Sequence, residues 1–286
     1  MKNLSDIGVI KDILSRHGFS FSKSLGQNFI INPGICPKIA DEGGAREGVG
    51  VLEVGAGIGV LTAELAKRAD KVVCIELDTR LLPILDETLG EFDNVKIING
   101  DILKVDLRKI LEDEFGGMPV VVCANLPYYI TSPVIMRLLE SKLNIESVTV
   151  MVQKEAAARL CAAVGSRDSG AVTVAVNYYS KASKLFDVSR GSFMPSPNVD
   201  SAVIRLDILS EPPITVSDEN FFFSMVRAAF SQRRKTASNG ISAGIGIPKA
   251  TIIEALEAAE LSPTVRAEAL NMEQLGKLYN ELKIRT

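Results

Sequence analysis

Short apolar runs alternate with amphipathic segments over residues 49–163, and this pattern constrains the fold more than any other feature. Apolar runs predict strands at 49–54, 72–75, 95–98, 119–124 and 147–152. The continuous apolar character of 119–124 is that of a strand buried on both faces. The helical spacing between the runs predicts helices at 60–69, 79–89, 133–141 and 154–163. We therefore expect an α/β fold with a doubly wound parallel sheet, whose ligands bind outside the carboxyl ends of the strands.

The two ends of the chain differ in character from this central pattern. At the N-terminus, helical spacing predicts a helix over 4–16, followed by a loop over 19–31 and a helix opened by Asn32 and Pro33. Beyond residue 181, two closing strands are expected at 183–188 and 202–209, and residues 216–284 show only helical patterns. Glu211-Pro212-Pro213 marks the boundary between a first domain, 1–210 with an N-terminal arm 1–31, and a helical domain, 211–286.

A glycine-rich turn, Gly55-Ala56-Gly57-Ile58-Gly59, joins the first central strand to the first central helix. Glycines there let the backbone approach a ligand closely and let the helix pack tightly on the strand. A dinucleotide fingerprint has G-x-G-x-x-G spacing, but here the third glycine comes one residue early. The spacing is similar to the loop of S-adenosylmethionine (SAM) methyltransferases, although a plain tight turn also fits it.

Two acidic residues favour the cofactor interpretation of this turn. Glu76 ends the second strand, where a carboxylate can accept hydrogen bonds from ribose hydroxyls, and Asp101 follows the third strand, where it can accept from an adenine amino group. Either residue alone is more often a helix cap or a solvated side chain. Their position behind a glycine turn, at the ends of successive strands, predicts a SAM site.

The run Asn125-Leu126-Pro127-Tyr128 follows the fourth strand at the same edge of the sheet. A turn explains Asn and Pro there, but not an amide and an aromatic ring together beside a cofactor site. The N6 amine of adenine is a poor nucleophile because its lone pair is delocalised into the ring. If the Asn125 side-chain oxygen and the Leu126 carbonyl accept both N6 hydrogens, the lone pair is freed. Tyr128 offers a stacking face for the base.

These motifs, with the stretch Lys23-Ser24-Leu25-Gly26-Gln27-Asn28-Phe29, resemble the KsgA-type small-subunit (16S) ribosomal RNA adenine N6,N6-dimethyltransferases over about residues 8–280. The resemblance implies a Rossmann-like class I SAM-dependent methyltransferase domain with a small C-terminal all-helical domain. It also implies that SAM is the cofactor and that two adjacent adenosines near the 3′ end of 16S rRNA are dimethylated. The implied substrate is a partly assembled small ribosomal subunit, so the modification is linked to subunit maturation.

The resemblance also assigns roles to individual residues. In the family, the Gln-Asn loop closes over SAM and an asparagine lies between the cofactor methyl group and the target amine. The residues implied to bind the cofactor are Gln27, Asn28, Ile30, Gly55, Gly57, Glu76, Asp101, Ile102 and Asn125. The residues implied to act on the target base are Asn125, Leu126, Pro127, Tyr128 and Phe193. Phe193 opens a Phe-x-Pro-x-Pro-x-Val-x-Ser motif and would form the opposite wall of the base slot, although a core phenylalanine is the alternative.

Four cations within nine residues, Arg227, Arg233, Arg234 and Lys235, form the candidate nucleic-acid contact. Such a run is usually a solvated helix face. Here it matches the family's Phe-x-x-Arg-Arg-Lys-Thr signature, which implies contact with the phosphate backbone. Residues 237–240 (Ala-Ser-Asn-Gly) depart from the leucine and further basic residues that the family usually carries.

Three other functions share part of this pattern. A 23S rRNA adenine N6-dimethyltransferase of the macrolide-resistance type has the same glycine turn and Asn-Leu-Pro-Tyr motif, but the N-terminal helix through His17, the Arg-Arg-Lys-Thr run and the pI of about 5.5 argue against it. A mainly non-catalytic small-subunit assembly factor is a rival of a different class. A DNA adenine methyltransferase would more typically carry a second proline in place of Leu126.

The composition argues against a metal site, and the small net charge conceals an uneven distribution of charged residues along the chain. His17 is the single histidine, and the four cysteines lie far apart without a C-x-x-C pair, so we expect reduced buried thiols and no metal site. The net charge is −3, but it is unevenly distributed. Residues 41–120 include 9 basic and 17 acidic residues, and the rest of the chain is more basic. No signal peptide or membrane span is predicted, so we expect a cytoplasmic protein. We also expect a monomer, and the family resemblance implies that its partner is the small subunit.

Overall fold

The computed structural model describes residues 4–22, 26–232 and 234–286. These residues divide into two compact units: one holds the described chain up to Ala157 together with Ser183–Ile208, and the other holds Ala158–Ala182 and Leu209–Thr286. The sequence analysis put a single boundary after residue 210. In the structure, residues 158–182 instead group with the C-terminal helices.

The strands and helices have the following bounds. The strands are β1 (Phe29–Ile30), β2 (Gly50–Val54), β3 (Lys71–Glu76), β4 (Val95–Asn99), β5 (Val120–Asn125), β6 (Ser147–Gln153), β7 (Ser180–Val188), β8 (Phe193–Met194) and β9 (Ser201–Ile208). The helices are α1 (Ile7–Arg16), α2 (Ile35–Glu42), α3 (Val60–Ala66), α4 (Leu82–Leu89), α5 (Leu107–Phe115), α6 (Thr131–Glu140), α7 (Lys154–Leu160), α8 (Ala171–Tyr179), α9 (Glu219–Phe230), α10 (Ala237–Ile245), α11 (Lys249–Ala258) and α12 (Met272–Arg285).

The main sheet has the strand order β4-β3-β2-β5-β6-β9-β7. Strands β4, β3, β2, β5 and β6 pair in parallel, whereas β9 runs antiparallel to β6. Every residue of β2 is buried, as expected for a strand covered on both faces. The predicted α/β fold with a parallel sheet is therefore confirmed, and its carboxyl ends, from Val54 to Asn125, lie along one edge.

Local structure differs from the sequence-based expectation at three places. Helix α2 begins at Ile35 rather than at Asn32, because the Asn32 side chain accepts a hydrogen bond from the Gly34 amide (3.1 Å) in a turn before the helix. The expected loop over 19–31 contains β1, which pairs with β8. Helices α5 and α8 were not predicted.

The second unit contains α8 to α12 and a cluster of aromatic rings. Tyr178 and Tyr179 of α8 pack against Phe222 and Phe223 of α9, with ring centroids 5.2–5.7 Å apart across the two helices. Ring contacts of this kind stabilise a core beyond the apolar area that they bury. They explain why α8 groups with the C-terminal helices. No helix within the described ranges is long and apolar enough to cross a membrane.

Helix α10 packs directly on α9 through residues without large side chains. A Cβ atom at Gly240 would lie 2.5 Å from the Ala228 carbonyl oxygen, and one at Gly244 would lie 2.5 Å from the Ala228 Cβ. Ala237 and Ser238 are buried in the same turn of the helix. The departure at 237–240 is therefore a packing feature, since small residues let the two helices approach.

Replacement of Gly240 tests this packing. Gly240→Ala should lower the free energy of unfolding by about 1–3 kcal/mol, because backbone atoms must move to accept the methyl group. Ser242→Ala, at a partly exposed position of α10, is the control and should change stability by less than about 0.5 kcal/mol. Urea unfolding followed by circular dichroism measures both variants, and equal stability of the two would contradict the packing argument.

Candidate active site

A cavity of about 290 Å³ lies in the first unit, at the carboxyl ends of β2, β3 and β5. It is lined by every residue that the sequence analysis assigned to the cofactor or the target base: Gln27, Asn28, Ile30, Gly55, Gly57, Glu76, Asp101, Ile102, Asn125, Leu126, Pro127, Tyr128 and Phe193. Segments as far apart in the chain as Gln27 and Phe193 thus meet at one edge of the sheet, where open α/β folds bind their ligands.

The turn between β2 and α3 has a backbone that requires glycine. Gly55, Gly57 and Gly59 have φ values of +77°, +60° and +88°, in the left-handed region that side chains rarely adopt. A Cβ at Gly57 would also lie 3.4 Å from the Phe29 ring, and one at Gly59 would lie 3.0 Å from Leu89. The turn therefore presents bare backbone to the cavity.

Glu76 holds this turn in place. Its buried carboxylate accepts hydrogen bonds from the Gly57 amide (3.0 Å) and from the Asp78 amide (2.8 Å), one at each oxygen. Burial raises the pKa of Glu76, and the two backbone amides partly oppose that rise. Glu76 thus organises the glycine turn, a role that the sequence analysis missed, while each oxygen keeps a lone pair for a ligand hydroxyl.

Asp101 organises the turn that follows β4. Its side chain accepts from the Leu103 amide (3.0 Å), and its carbonyl accepts from the amides of Lys104 (2.8 Å) and Val105 (3.0 Å). Arg137 of α6 donates from Nε to the Ile102 carbonyl (2.9 Å) and from Nη2 to the Val105 carbonyl (2.7 Å). The guanidinium group therefore fixes the loop that carries Asp101 and Ile102, and no local sequence pattern pointed to it.

Gln27 fastens the N-terminal arm at the edge of the cavity. Its side-chain oxygen accepts from the Ser22 amide (3.0 Å), and its nitrogen donates to Asp78 Oδ2 (2.7 Å). Arg80 donates to the same Asp78 oxygen (2.6 Å) and lowers the pKa of that carboxyl. Both polar ends of Gln27 thus bind the protein itself. Lys23, Ser24 and Leu25 of the motif lie outside the described residues.

Asn125 ends β5 at the cavity with a defined orientation of its amide. The Asn125 Nδ2 donates to the Asn28 carbonyl (3.4 Å). The amide nitrogen is only a donor, so Oδ1 is the side-chain atom that can accept from an amine. A neutral acceptor at the end of a buried strand is suited to orient an amine, and it neither donates nor removes a proton.

Two aromatic side chains complete this part of the cavity. Tyr128, in a short 3₁₀ turn after Pro127, is half-buried, and its hydroxyl lies 2.7 Å from the Ser201 hydroxyl. Burial raises the pKa of Tyr128, so its hydroxyl stays protonated near neutral pH. Phe193 is 3% exposed, and its backbone pairs with Ile30 in the β1–β8 ladder. Phe193 is thus both a core residue and a wall of the cavity.

The candidate nucleic-acid residues lie in the second unit. Arg227, in the last turn of α9, is exposed and donates to Ser224 Oγ (3.3 Å). Arg234 and Lys235, in the connection to α10, are exposed as well, whereas Arg233 lies outside the described residues. Ala237 and Ser238 are buried, and the Ser238 hydroxyl donates to the Pro263 carbonyl (3.4 Å), so these side chains do not face solvent.

A buried carboxyl, Glu53, lies beneath the glycine turn. It is 1% exposed and is hydrogen-bonded by Thr62 and by Cys74, whose sulfur is 3.1 Å from Oε2. Burial raises the pKa of Glu53 to about 7. Burial also raises the pKa of Cys74, and that of Cys123 to about 12, so these thiols stay protonated near neutral pH.

The four cysteines all lie within the described residues, and most of them are buried. Cys36, Cys74 and Cys123 are free and buried, as expected, but Cys161 is only partly buried. Within the described ranges, no group of three or more His, Cys, Asp or Glu side chains could hold a metal ion.

The raised pKa of Glu53 predicts how the folding stability depends on pH. A carboxyl with a raised folded-state pKa contributes stability below its unfolded pKa, and this contribution is lost as the pH rises through the folded value. Between about pH 4.5 and about 7, Glu53→Gln should therefore gain stability relative to the natural protein. Urea unfolding at pH 5, 6, 7 and 8 measures the difference, with Glu112→Gln on the exposed face of α5 as the control. A Glu53→Gln difference that stays constant with pH would contradict the assignment.

Comparison with known proteins places this site in a family. The family model described as "Ribosomal RNA adenine dimethylase" matches residues 18–283. "Ribosomal RNA small subunit methyltransferase A" of Geobacillus thermodenitrificans is 50% identical over 285 residues, covering 98% of this chain and 97% of that protein. The protein of the same name from Alkaliphilus oremlandii is 46% identical over 283 residues, covering 99% of each.

Solved structures agree with the sequence comparisons. A dimethyladenosine transferase from Plasmodium falciparum superposes with a TM-score of 0.75 and 26% identity, covering 90% of this chain and 98% of that one. The 23S rRNA methyltransferase ErmE superposes with a TM-score of 0.66 and 27% identity, covering 89% and 99%. Because the family model and full-length relatives span nearly the whole sequence, the chain belongs to the ribosomal RNA adenine dimethylase family.

Proposed function

We propose that this protein transfers methyl groups from SAM to the N6 amines of two adjacent adenosines near the 3′ end of 16S rRNA, in an assembling small subunit. The observation that carries the proposal is the position of Asn125, which lines the same cavity as the glycine turn and donates its amide nitrogen to the Asn28 carbonyl. Two full-length relatives bear the name of a small-subunit rRNA methyltransferase. An assembling subunit is found in the cytoplasm, and we propose that the enzyme acts there as a monomer.

The cavity suits SAM in size and in chemistry. Its volume of about 290 Å³ is close to the lower end of the range for small-molecule sites, ~300 Å³. Bare backbone at Gly55 and Gly57 admits a ligand closely, Glu76 keeps acceptor capacity for ribose hydroxyls, and Asp101 with Ile102 lies where the adenine would bind. When bound there, SAM would supply an electrophilic methyl group and would leave as S-adenosylhomocysteine, while the methylated amine would lose a proton to water. We propose that Gln27, Asn28 and Ile30 form the cover of this site.

The protein's part in the reaction is alignment. Asn125 Oδ1 and the Leu126 carbonyl accept the two N6 hydrogens of adenine, which favours a pyramidal nitrogen with an available lone pair. Pro127 fixes the turn that carries both acceptors and Tyr128. A displacement of this kind depends on the geometry of the reacting atoms more than on proton transfer. This dependence fits a site whose acceptors are an amide and a carbonyl.

Two rings hold the base. Tyr128 and Phe193 both line the cavity, and stacking on such rings contributes about 1–3 kcal/mol per base. A flipped adenine between them would leave its N6 edge at Asn125. The cost of unstacking a base from RNA, a few kcal/mol, is of the same size as the stacking gained.

Phosphate contacts are proposed for the second unit. Arg227, Arg234 and Lys235 are exposed cations within one short segment, and Arg233 belongs to the same run of sequence. Contacts of this kind position RNA without reading its bases and weaken with salt. The acidic composition elsewhere favours a substrate recognised by shape and by its ribosomal context.

Methylation of ribosomal subunits by the purified protein tests the proposal. Small subunits that lack the modification, and large subunits as the alternative substrate, are incubated with methyl-labelled SAM. Label should enter the 16S RNA as N6,N6-dimethyladenosine, and Asn125→Ala should lower the rate about 10²–10³-fold, as for loss of an aligned polar group in other enzymes. Asn280→Ala, exposed on α12, is the matched control.

Each alternative gives a different result in the same experiment. Label confined to large-subunit RNA would identify a 23S-directed enzyme, the activity named for ErmE. If the natural protein leaves both RNAs unlabelled but restores subunit maturation in cells, the assembly-factor role is the correct one.

Arg137 provides a test of the cofactor site alone. Arg137→Gln removes two hydrogen bonds that hold the loop of Asp101 and Ile102, so the SAM dissociation constant should rise about tenfold, as for ~1.4 kcal/mol. Arg108→Gln is the control, because Arg108 is exposed and its side chain donates to the Ser141 carbonyl (3.4 Å), away from the loop of Asp101. Isothermal titration calorimetry with SAM measures both, and equal affinities for the two variants would refute this role of Arg137.

A further inference from the structure

The last residue of the Phe-x-Pro-x-Pro-x-Val-x-Ser motif has no role so far. This residue, Ser201, is completely buried, and its hydroxyl lies 2.7 Å from that of Tyr128. The bond joins two motifs that are 73 residues apart in the chain. One of them carries Tyr128 and the other carries Phe193, the two rings that line the cavity.

We propose that Ser201 is a positioning residue, which fixes the plane of the Tyr128 ring and with it the width of the slot for the target adenine. This inference rests on the proposed function, since it concerns the same base slot. It assigns to Ser201 no contact with RNA or cofactor. Its action passes through the Tyr128 hydroxyl alone.

The two partners of this bond differ in how firmly the backbone holds them. Ser201 opens β9, where it is in register with Gln153 of β6, and the adjacent Asp200 carbonyl accepts from the Lys154 amide (3.0 Å). Tyr128 lies outside the sheet, in a 3₁₀ turn of three residues. The strand residue is therefore the fixed point, and its hydroxyl holds the outer end of a ring whose backbone is in a short turn.

The opposite wall belongs to the same loop as Ser201. Phe193 is held through its backbone by pairing with Ile30. Between Phe193 and β9, the Ser196 hydroxyl donates to the Arg190 carbonyl (2.9 Å), and the Arg190 amide donates to Asp200 Oδ1 (2.9 Å). A single braced loop thus fixes both walls of the slot, one by main-chain pairing and the other by the Ser201 hydroxyl.

Dimethylation makes the slot width matter more for the second transfer than for the first. Adenine enters the first transfer with two equivalent N6 hydrogens, whereas the product of that transfer carries a methyl group and one hydrogen. Its remaining hydrogen must meet an acceptor while the lone pair faces the cofactor. A ring free to tilt allows more misaligned poses, and misalignment is costly in such reactions. Loss of the Ser201 bond should therefore slow the second transfer most.

The test compares three single variants and one double variant on small subunits that lack the modification. Ser201→Ala removes the hydroxyl from the strand, Tyr128→Phe removes it from the ring and keeps the stacking face, and Ser201→Thr keeps a hydroxyl. Single-turnover assays give the rates of the first and second transfers, calorimetry gives the SAM dissociation constant, and thermal unfolding gives Tm.

We expect Ser201→Ala and Tyr128→Phe to slow the second transfer about three- to tenfold, the range for loss of one neutral hydrogen bond, and to accumulate N6-monomethyladenosine. The double variant should be no slower than either single variant, because both remove the same bond. Ser201→Thr should restore dimethylation, and SAM affinity should not change in any variant.

Three results would overturn the proposal: natural rates in Ser201→Ala, additive losses in the double variant, or an equal slowing of both transfers that follows a lower Tm. Failure of the proposed function is a separate result, seen with the natural protein. If that protein methylates only large-subunit RNA, the same variants are compared on that RNA, and the monomethyl fraction decides the role of Ser201 there.

Discussion

Parallel pairing of β2 with β3 and β5 is the constraint on which the rest of the site depends. It brings Val54, Glu76 and Asn125 to one edge of the sheet although they are far apart in the chain. The glycine turn then leaves the sheet with bare backbone, and the Glu76 carboxylate binds its Gly57 amide. A buried carboxylate with two backbone donors is strongly held, so hydrogen bonds within the protein stabilise the turn. The cofactor therefore need not supply all of the free energy that orders it.

Much of the site was predictable because its residues follow strands directly. Glu76 and Asn125 end the largely buried strands β3 and β5, Asp101 lies two residues after the more exposed edge strand β4, and the ends of parallel strands meet at one edge. Arg137, Asp78 and Ser201 could not be predicted in this way. Their hydrogen bonds join residues 35, 51 and 73 positions apart, and no periodicity records such a partner. The boundary near residue 158 was missed for a similar reason, since ring contacts between α8 and α9 decide it.

The departure at residues 237–240 shows how packing and binding compete for the same positions. A run after Arg-Arg-Lys-Thr suggests continued contact with RNA, but Gly240 lies against α9 and Ser238 is buried. Small side chains there allow the helices to approach. Among the residues of this segment that the structure describes, the exposed cations are Arg227, Arg234 and Lys235. The acidic net charge is consistent with few phosphate contacts and a substrate selected by the geometry of an assembled particle.

The two-residue ladder between β1 and β8 joins the N-terminal arm to the wall that Phe193 forms. Ile30, together with Gln27 and Asn28 shortly before it, belongs to the cover proposed for the cofactor, so one piece of backbone faces both reactants. If one reactant orders this ladder when it binds, the second reactant binds without the free-energy cost of ordering it. This coupling between the two binding reactions is reciprocal by thermodynamic necessity. A methyl donor that orders the arm would therefore raise the affinity for RNA, and RNA would raise the affinity for the donor by the same factor.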